Sequence, residues 1–157
     1  MSARLFITAL CLIVAPFAAG ADLTIVRVFT GWRDAASFKR ISEYFDGKEN
    51  TGNATVLRTH PDQRAGFYFL VRTTNPGALR SVKASLEVIT NAAAKPLSYT
   101  FPAELKSGDT VLHLGLTGTD WADPKTSPVA WKLDLVDTDG RILATEKSYL
   151  WEKPATK

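Results

Sequence analysis

The stretch SVKASLEVIT, residues Ser81–Thr90, alternates apolar and polar side chains along most of its length. Successive residues of an extended chain point to opposite faces, so one face of this stretch carries Val82, Ala84, Leu86 and Val88. A period of two residues is typical of a strand that is buried on one side. The stretch therefore predicts a β-strand with one face on a hydrophobic core and the other face in solvent.

Seven further segments have strand-like composition and are separated by turn residues. They are Leu23–Phe29, Ala54–Thr59, Phe67–Thr74, Leu97–Phe101, Thr110–Leu116, Val129–Asp137 and Arg141–Trp151. Short strands with alternating rather than continuous apolar residues favour antiparallel sheets that each bury one face. Eight such strands predict a mainly β protein, an antiparallel two-layer sandwich. A closed barrel is the alternative arrangement of the same strands.

The order of the strands resembles immunoglobulin-like and fibronectin type III sandwiches, which occur as modules in exported bacterial proteins. The features that carry the resemblance are Trp131 inside an alternating strand and a final hairpin through the turn Asp137–Gly140. The resemblance covers about Ala54 to Trp151, and no cysteine pair flanks the tryptophan as it would in antibody domains. It implies an immunoglobulin/fibronectin-III-like fold and carries no function.

The N-terminal residues 1–21 have the composition of a cleaved signal peptide. Arg4 precedes an apolar run from Leu5 to Phe17, and Ala19 and Ala21 have the small side chains that signal peptidase accepts. The apolar run, at ~13 residues, is shorter than the about 20 helical residues that span a bilayer. We therefore expect an export signal rather than a transmembrane helix.

Cleavage after residue 21 would leave residues 22–157 as a single β-sandwich domain without a transmembrane anchor. The expected location is the periplasm or the extracellular space. Cys11 would leave with the signal peptide, so the mature chain must be stabilised by a hydrophobic core rather than by disulfides. The 19 basic and 16 acidic residues are scattered along the chain, and export separates it from nucleic acid, so we expect no nucleic-acid partner.

One segment, between Gly31 and Gly52, departs from the strand pattern. Asp34 suits a helix N-cap, Gly47 suits a helix end, and apolar residues between them recur near helical spacing. These apolar residues are Ala35, Phe38, Ile41 and Phe45. The spacing predicts one short amphipathic helix after the first strand, and such a helix is marginal unless its apolar stripe is buried.

Two of the predicted strands carry apolar side chains on both faces. In Phe67–Thr74 the residues Tyr68 and Leu70 would point away from the core, as would Tyr149 and Trp151 near the chain end. Open sandwiches seldom leave such a face bare, so we expect the helix to cover it. The alternative is that the aromatic side chains remain exposed for binding.

No residue pattern indicates catalysis, a cofactor or a metal site. The mature chain has two histidines, His60 and His113, which are predicted in a turn and on the outer face of a strand. No nucleophile motif is present. The acidic pair Asp137 and Asp139 fits a hairpin turn better than a calcium loop, because the remaining ligands of such a loop are missing. A hydrolase with an unrecognised site remains as a third interpretation.

The candidate binding residues are aromatic and charged residues in loops and near the chain end. Exposed aromatic rings provide a large contact area at small entropic cost. These candidates are Trp32, Arg33, Asp120, Trp121, Asp123, Tyr149 and Trp151. They favour a non-enzymatic module that binds or assembles with an unknown protein of the cell envelope. The alternative is a carbohydrate-binding accessory domain that uses exposed Trp and Tyr side chains on a polysaccharide.

Overall fold

Eight β-strands form two four-stranded sheets in the computed structural model, which describes residues 22–91 and 95–152. The predicted signal peptide lies outside the described residues. The strands are β1 (Thr24–Arg33), β2 (Thr55–Arg58), β3 (Gly66–Asn75), β4 (Arg80–Ile89), β5 (Leu97–Leu105), β6 (Gly108–Thr117), β7 (Ala130–Val136) and β8 (Ile142–Lys147). One α-helical turn, α1 (Glu43–Asp46), and 3-10 turns at Ala36–Phe38, Gly118–Asp120 and Tyr149–Glu152 complete the described elements.

The strand order is that of an immunoglobulin-like sandwich with one added strand. The first sheet has the order β1-β3-β6-β2 and the second sheet has the order β5-β4-β7-β8. Without β2, the strands β1, β3 and β6 match A, B and E of the immunoglobulin pattern, and β4, β7 and β8 match C, F and G, with β5 beside C. The predicted sandwich is confirmed, and the barrel alternative is wrong because the described strands form two separate sheets. Strand β2 pairs in parallel with β6, so the prediction of an entirely antiparallel arrangement fails at this pair.

The core lies between the facing sides of the two sheets. The alternating residues Val82, Ala84, Leu86 and Val88 of β4 are all buried, as the pattern predicts. The opposing sheet contributes the inward side chains of β3 and β6, which are Phe67, Phe69, Val71, Leu112, Leu114 and Leu116. Full burial of each large apolar side chain contributes roughly 1.5 to 3 kcal/mol, so this interface supplies most of the stability of the fold.

The last predicted strand ends earlier than expected. Ser148 closes β8, because its backbone N–H donates to the Trp131 carbonyl at 2.9 Å and its hydroxyl accepts the Trp131 N–H at 3.0 Å. The chain then turns, so Tyr149 and Trp151 do not lie on a strand face as predicted. A register shift in the β7-β8 pairing leaves Ile142 exposed, although the alternation predicts it to face inward.

The turn between β7 and β8 forms as the sequence predicts. The Asp137 carboxylate accepts the backbone N–H groups of Asp139 and Arg141 at 2.9 and 2.8 Å. Gly140 has a φ of 85°, a value that disfavours residues with a side chain. The Asp137 carboxylate therefore has a local structural role in this hairpin.

On the outer face of the first sheet, the side chain of Tyr68 lies across β6 and leaves room only for a glycine beneath it. The ring of Tyr68 lies over Gly115, and a Cβ added at Gly115 would come within 2.5 Å of the ring carbon Cε1. Gly31 lies on the other side of Tyr68 in the same row of the sheet, and a Cβ added there meets no atom within 4 Å. The two glycines thus share a sheet face but differ in their surroundings.

We predict that Gly115→Ala lowers the free energy of unfolding by about 1 to 3 kcal/mol, because the buried Tyr68 ring must shift to accommodate a methyl group. Gly31→Ala is the matched control and should change stability by less than about 0.5 kcal/mol. Urea unfolding followed by tryptophan fluorescence measures both. Equal effects of the two substitutions would contradict the packing described.

Candidate functional site

The segment between β1 and β2 is not one helix. It contains the 3-10 turn Ala36–Phe38, an extended residue at Lys39 and the single turn α1. Asp34 accepts the Ser37 N–H at 2.7 Å, which agrees with its predicted capping role, and Gly47 ends α1 with a φ of 67°. The predicted ends of the helix are therefore close to correct, but its continuity is wrong.

Charged side chains fasten this segment to the first sheet. Two nitrogen atoms of Arg58, on β2, donate to the two carboxylate oxygens of Glu49 at 2.9 and 2.6 Å. Arg64 donates to Glu43 of α1 at 2.7 Å and lies 3.5 Å from Glu49. The Tyr68 hydroxyl accepts from Arg58 Nε and donates to the Arg64 carbonyl oxygen, both at 2.7 Å. We call these five residues, Glu43, Glu49, Arg58, Arg64 and Tyr68, the ionic cluster.

The ionic cluster is shielded from water to a degree that strengthens it. The side chain of Arg58 is only 6% exposed, and its charge is matched by a bidentate carboxylate, which is the geometry that stabilises a buried guanidinium. The hydrogen bond from Arg58 lowers the pKa of Glu49 and raises the pKa of Arg58 in turn. Burial raises the pKa of Tyr68, so its hydroxyl stays protonated and continues to donate.

The segment presents its apolar side chains to solvent. Phe38 alone of the large predicted stripe residues packs inward, with its ring centroid 4.7 Å from that of Tyr68 and 5.1 Å from the Arg58 guanidinium carbon. Ile41 is 79% exposed, Tyr44 is 77% exposed and Phe45 is 86% exposed. We call these three residues the apolar tip.

The prediction that the helix covers the outer face of the sheet is therefore correct for Phe38 and Tyr68 but wrong for Ile41 and Phe45. Glu43 lies outside the predicted apolar stripe, yet its side chain is 9% exposed and bonded to Arg64. Glu43 and Glu49 turn toward the sheet, where two arginines pair with them, and the apolar tip points to solvent. Tyr44 belongs to this exposed face, although helical spacing does not place it in the predicted stripe.

Two of the tryptophans predicted to bind a partner contact the hydrophobic core. Trp121 is 4% exposed, stacks on Phe67 at a centroid distance of 5.2 Å and donates its indole N–H to the Thr126 carbonyl. The expectation that it stays exposed is wrong, because the loop after β6 folds back over the end of the sandwich. Trp32 also packs against the core from the end of β1. Trp131 of β7 is partly buried and packs against Phe69, with the ring centroids 5.7 Å apart.

The other predicted binding residues are spread over separate places. Asp123 accepts from the Lys125 N–H and the Thr126 hydroxyl, and so shapes its own loop. Asp120 lies 3.2 Å from His60 Nε2. Arg33 ends β1 and lines a surface cavity with Asp34, Ser37 and other residues, whereas exposed Tyr149 and half-buried Trp151 follow β8. The structure therefore does not gather the predicted aromatic residues into one exposed strip.

The two histidines are also apart. His60 contacts Thr119 and Asp120 at the end of the sandwich, whereas His113 lies on the outer face of β6 opposite Leu70 and Val56. The buried Nδ1 atom of His113 has no hydrogen-bond partner among the described residues. Within residues 22–91 and 95–152, no group of three or more His, Cys, Asp or Glu side chains is arranged to hold a metal ion.

The burial of His113 predicts that the fold loses stability in mild acid. Burial lowers the pKa of His113 below its usual value, and the nearby cations Arg33 and Arg58 lower it further. Between the folded and unfolded pKa values, the unfolded chain binds more protons than the folded chain. Stability therefore falls as the pH decreases below about 6.5, the unperturbed histidine pKa.

We predict that the free energy of unfolding decreases between about pH 7 and pH 5, and that His113→Gln removes most of this decrease. The stabilisation from Glu49, whose pKa is lowered by Arg58, is complete in this range and is lost only as the pH falls below about 4.3, the usual pKa of an unfolded glutamate. Urea denaturation at a series of pH values measures the effect. A slope in this range that persists in His113→Gln would contradict the assignment.

The segment between β1 and β2 packs Phe38 on the sheet and exposes Ile41, and this difference gives a second prediction. Phe38→Ala should lower the free energy of unfolding by about 1 to 2 kcal/mol, because it removes ring contacts with Tyr68 and Arg58. Ile41→Asp, a more drastic change in polarity, should leave the melting temperature almost unchanged because Ile41 already faces water. Thermal unfolding of the two variants tests this order, and greater damage from Ile41→Asp would refute it.

No helix in the described part of the chain is long and apolar enough to cross a membrane. No protein-family model matches the sequence, and no curated protein matches it. Among solved structures, an immunoglobulin-like protein from Pseudomonas aeruginosa aligns with 16% sequence identity and a TM-score of 0.33. The alignment covers 82% of this chain and 96% of that protein.

Proposed function

We propose that the chain is an exported, non-enzymatic β-sandwich module that binds another protein of the cell envelope through the apolar tip. The observation that carries this proposal is the exposure of Ile41, Tyr44 and Phe45 on a segment whose charged residues are turned inward. Export rests on the predicted signal peptide.

The apolar tip is costly to leave in water. Burial of each of its three side chains would contribute roughly 1.5 to 3 kcal/mol, and the isolated chain forgoes this gain. The ionic cluster and Phe38 hold the segment in place on both sides of α1, so little order remains to be imposed when a partner binds. A rigid group of aromatic and aliphatic side chains is the usual centre of a protein interface.

The charges around the tip suit a protein partner. Lys39, Arg40 and Lys48 are accompanied by Asp46, so both signs of charge surround the apolar residues. A mixed polar rim around an apolar centre is typical of protein interfaces. The carbohydrate alternative relies on exposed tryptophans, whereas Trp121 is buried and Trp32 is half-buried against the core. The binding of a protein is therefore the better supported of the two functions.

The proposal is tested by placing a photoreactive phenylalanine analogue at Tyr44 in the exported protein and irradiating intact cells. We expect a discrete crosslinked protein from position 44, and we expect Phe45→Ser in the same chain to reduce that crosslink strongly without lowering the melting temperature. The matched control carries the photoreactive residue at Leu79, which is exposed between β3 and β4.

Two outcomes would reject a protein-binding tip. One is equal crosslinking from positions 44 and 79, which would indicate random collision. The other is an adduct formed with lipid alone, which would assign the tip to a membrane surface.

A further inference from the structure

A groove runs along the side of the sandwich between β2 and β5, which are the edge strands of the two sheets. Among the described residues no backbone hydrogen bond joins these strands. The part of the groove nearest Asp120 is a cavity of about 600 Å³. It is lined by Val56–Thr59 of the first sheet, Ser98–Pro102 of the second and Asp120. We call this part the seam groove. It is open to solvent and separate from the apolar tip.

The free edge of β5 offers unpaired backbone groups to the seam groove. Pro102 pairs with Lys83 of β4 although it has no N–H, and proline is accommodated on an edge strand where its missing donor faces away from the neighbour. Residues two and four positions earlier, Thr100 and Ser98, direct their backbone groups to the same side. Their N–H and C=O groups therefore face the seam groove.

Strand β2 supplies backbone groups on the opposite wall. The Thr59 N–H donates to the Gly115 carbonyl of β6 at 2.9 Å, which fixes the direction of alternate residues at this edge. Arg58 and Val56, one and three positions earlier, consequently direct their backbone groups away from β6. Both walls of the groove thus carry free hydrogen-bonding groups, and half-buried Leu57 and Tyr99 lie between them.

We infer that the seam groove binds an extended segment of a second polypeptide, which pairs with Ser98–Phe101 as an added strand of the second sheet. Addition of a strand to an exposed sheet edge uses backbone hydrogen bonds for affinity and alternate side chains for specificity. Asp120 is the acidic group that lines the groove, with its Oδ2 3.2 Å from His60 Nε2, whereas the charge of Arg58 is already matched by Glu49. This charge balance selects a peptide with alternating apolar residues and a Lys or Arg beside Asp120.

The probe is a phage-displayed library of short random peptides selected on the folded protein, followed by synthesis of the most enriched peptide. We expect its amides and those of Ser98 and Thr100 to become protected from hydrogen exchange. N-methylation of the peptide at alternate positions should weaken binding by about tenfold, with intervening positions little affected. This period of two residues distinguishes strand addition from contact through side chains alone.

The proposed selection of a basic peptide residue by Asp120 is tested separately. Asp120→Asn should weaken binding of the enriched peptide several-fold and increasingly at low salt, whereas Asp139→Asn in the distant hairpin should not. Phe45→Ser should leave peptide binding unchanged, so failure of the apolar tip as a binding site would not affect this result. The inference is overturned if no peptide is enriched, or if N-methylation has no alternating effect. It is also overturned if Ser98 and Thr100 stay unprotected, or if self-association of the protein accounts for the protection.

Discussion

The buried guanidinium of Arg58 makes the contacts on which the position of the segment between β1 and β2 depends. It joins three parts of the chain, because it sits on β2, binds Glu49 of the preceding segment and donates to the hydroxyl of Tyr68 on β3. Loss of its charge would leave the partly buried Glu49 carboxylate with only Arg64, 3.5 Å away, which is more destabilising than loss of an exposed ion pair. Arg58 thus adds to the parallel pairing with β6 in holding the strand that distinguishes this sandwich from the immunoglobulin pattern.

The same contact determines which side of the segment meets water. Once Glu43 and Glu49 are paired with Arg64 and Arg58, the residues between them and Ile41 just before them have no apolar surface to cover. Exposure of the apolar tip follows from this geometry. A surface that is both apolar and firmly held loses little freedom on binding, and this links the ionic cluster to the proposed function.

The strands were predictable because each depends on a local alternation that burial of one face imposes. The fifth strand continues through Pro102 to Leu105, beyond its predicted end at Phe101, because an edge strand does not need the donor that proline lacks. The orientation of the segment was not predictable. The spacing of Phe38, Ile41 and Phe45 defines a stripe but not what lies beneath it, and Glu43 finds its partner 21 residues away. The burial of Trp121 likewise depends on how a loop folds over the end of the sandwich.

Pro102 also has a consequence for the solubility of the chain. A long free edge is a template on which further chains can stack into fibrils, and natural sheets interrupt such edges with proline or charge. Pro102 removes a donor in the middle of β5, and the exposed side chain of Glu104 follows two residues later. Proline and charge together thereby shorten the run of free donors along β5, which makes this edge a poor template for stacking copies of the chain.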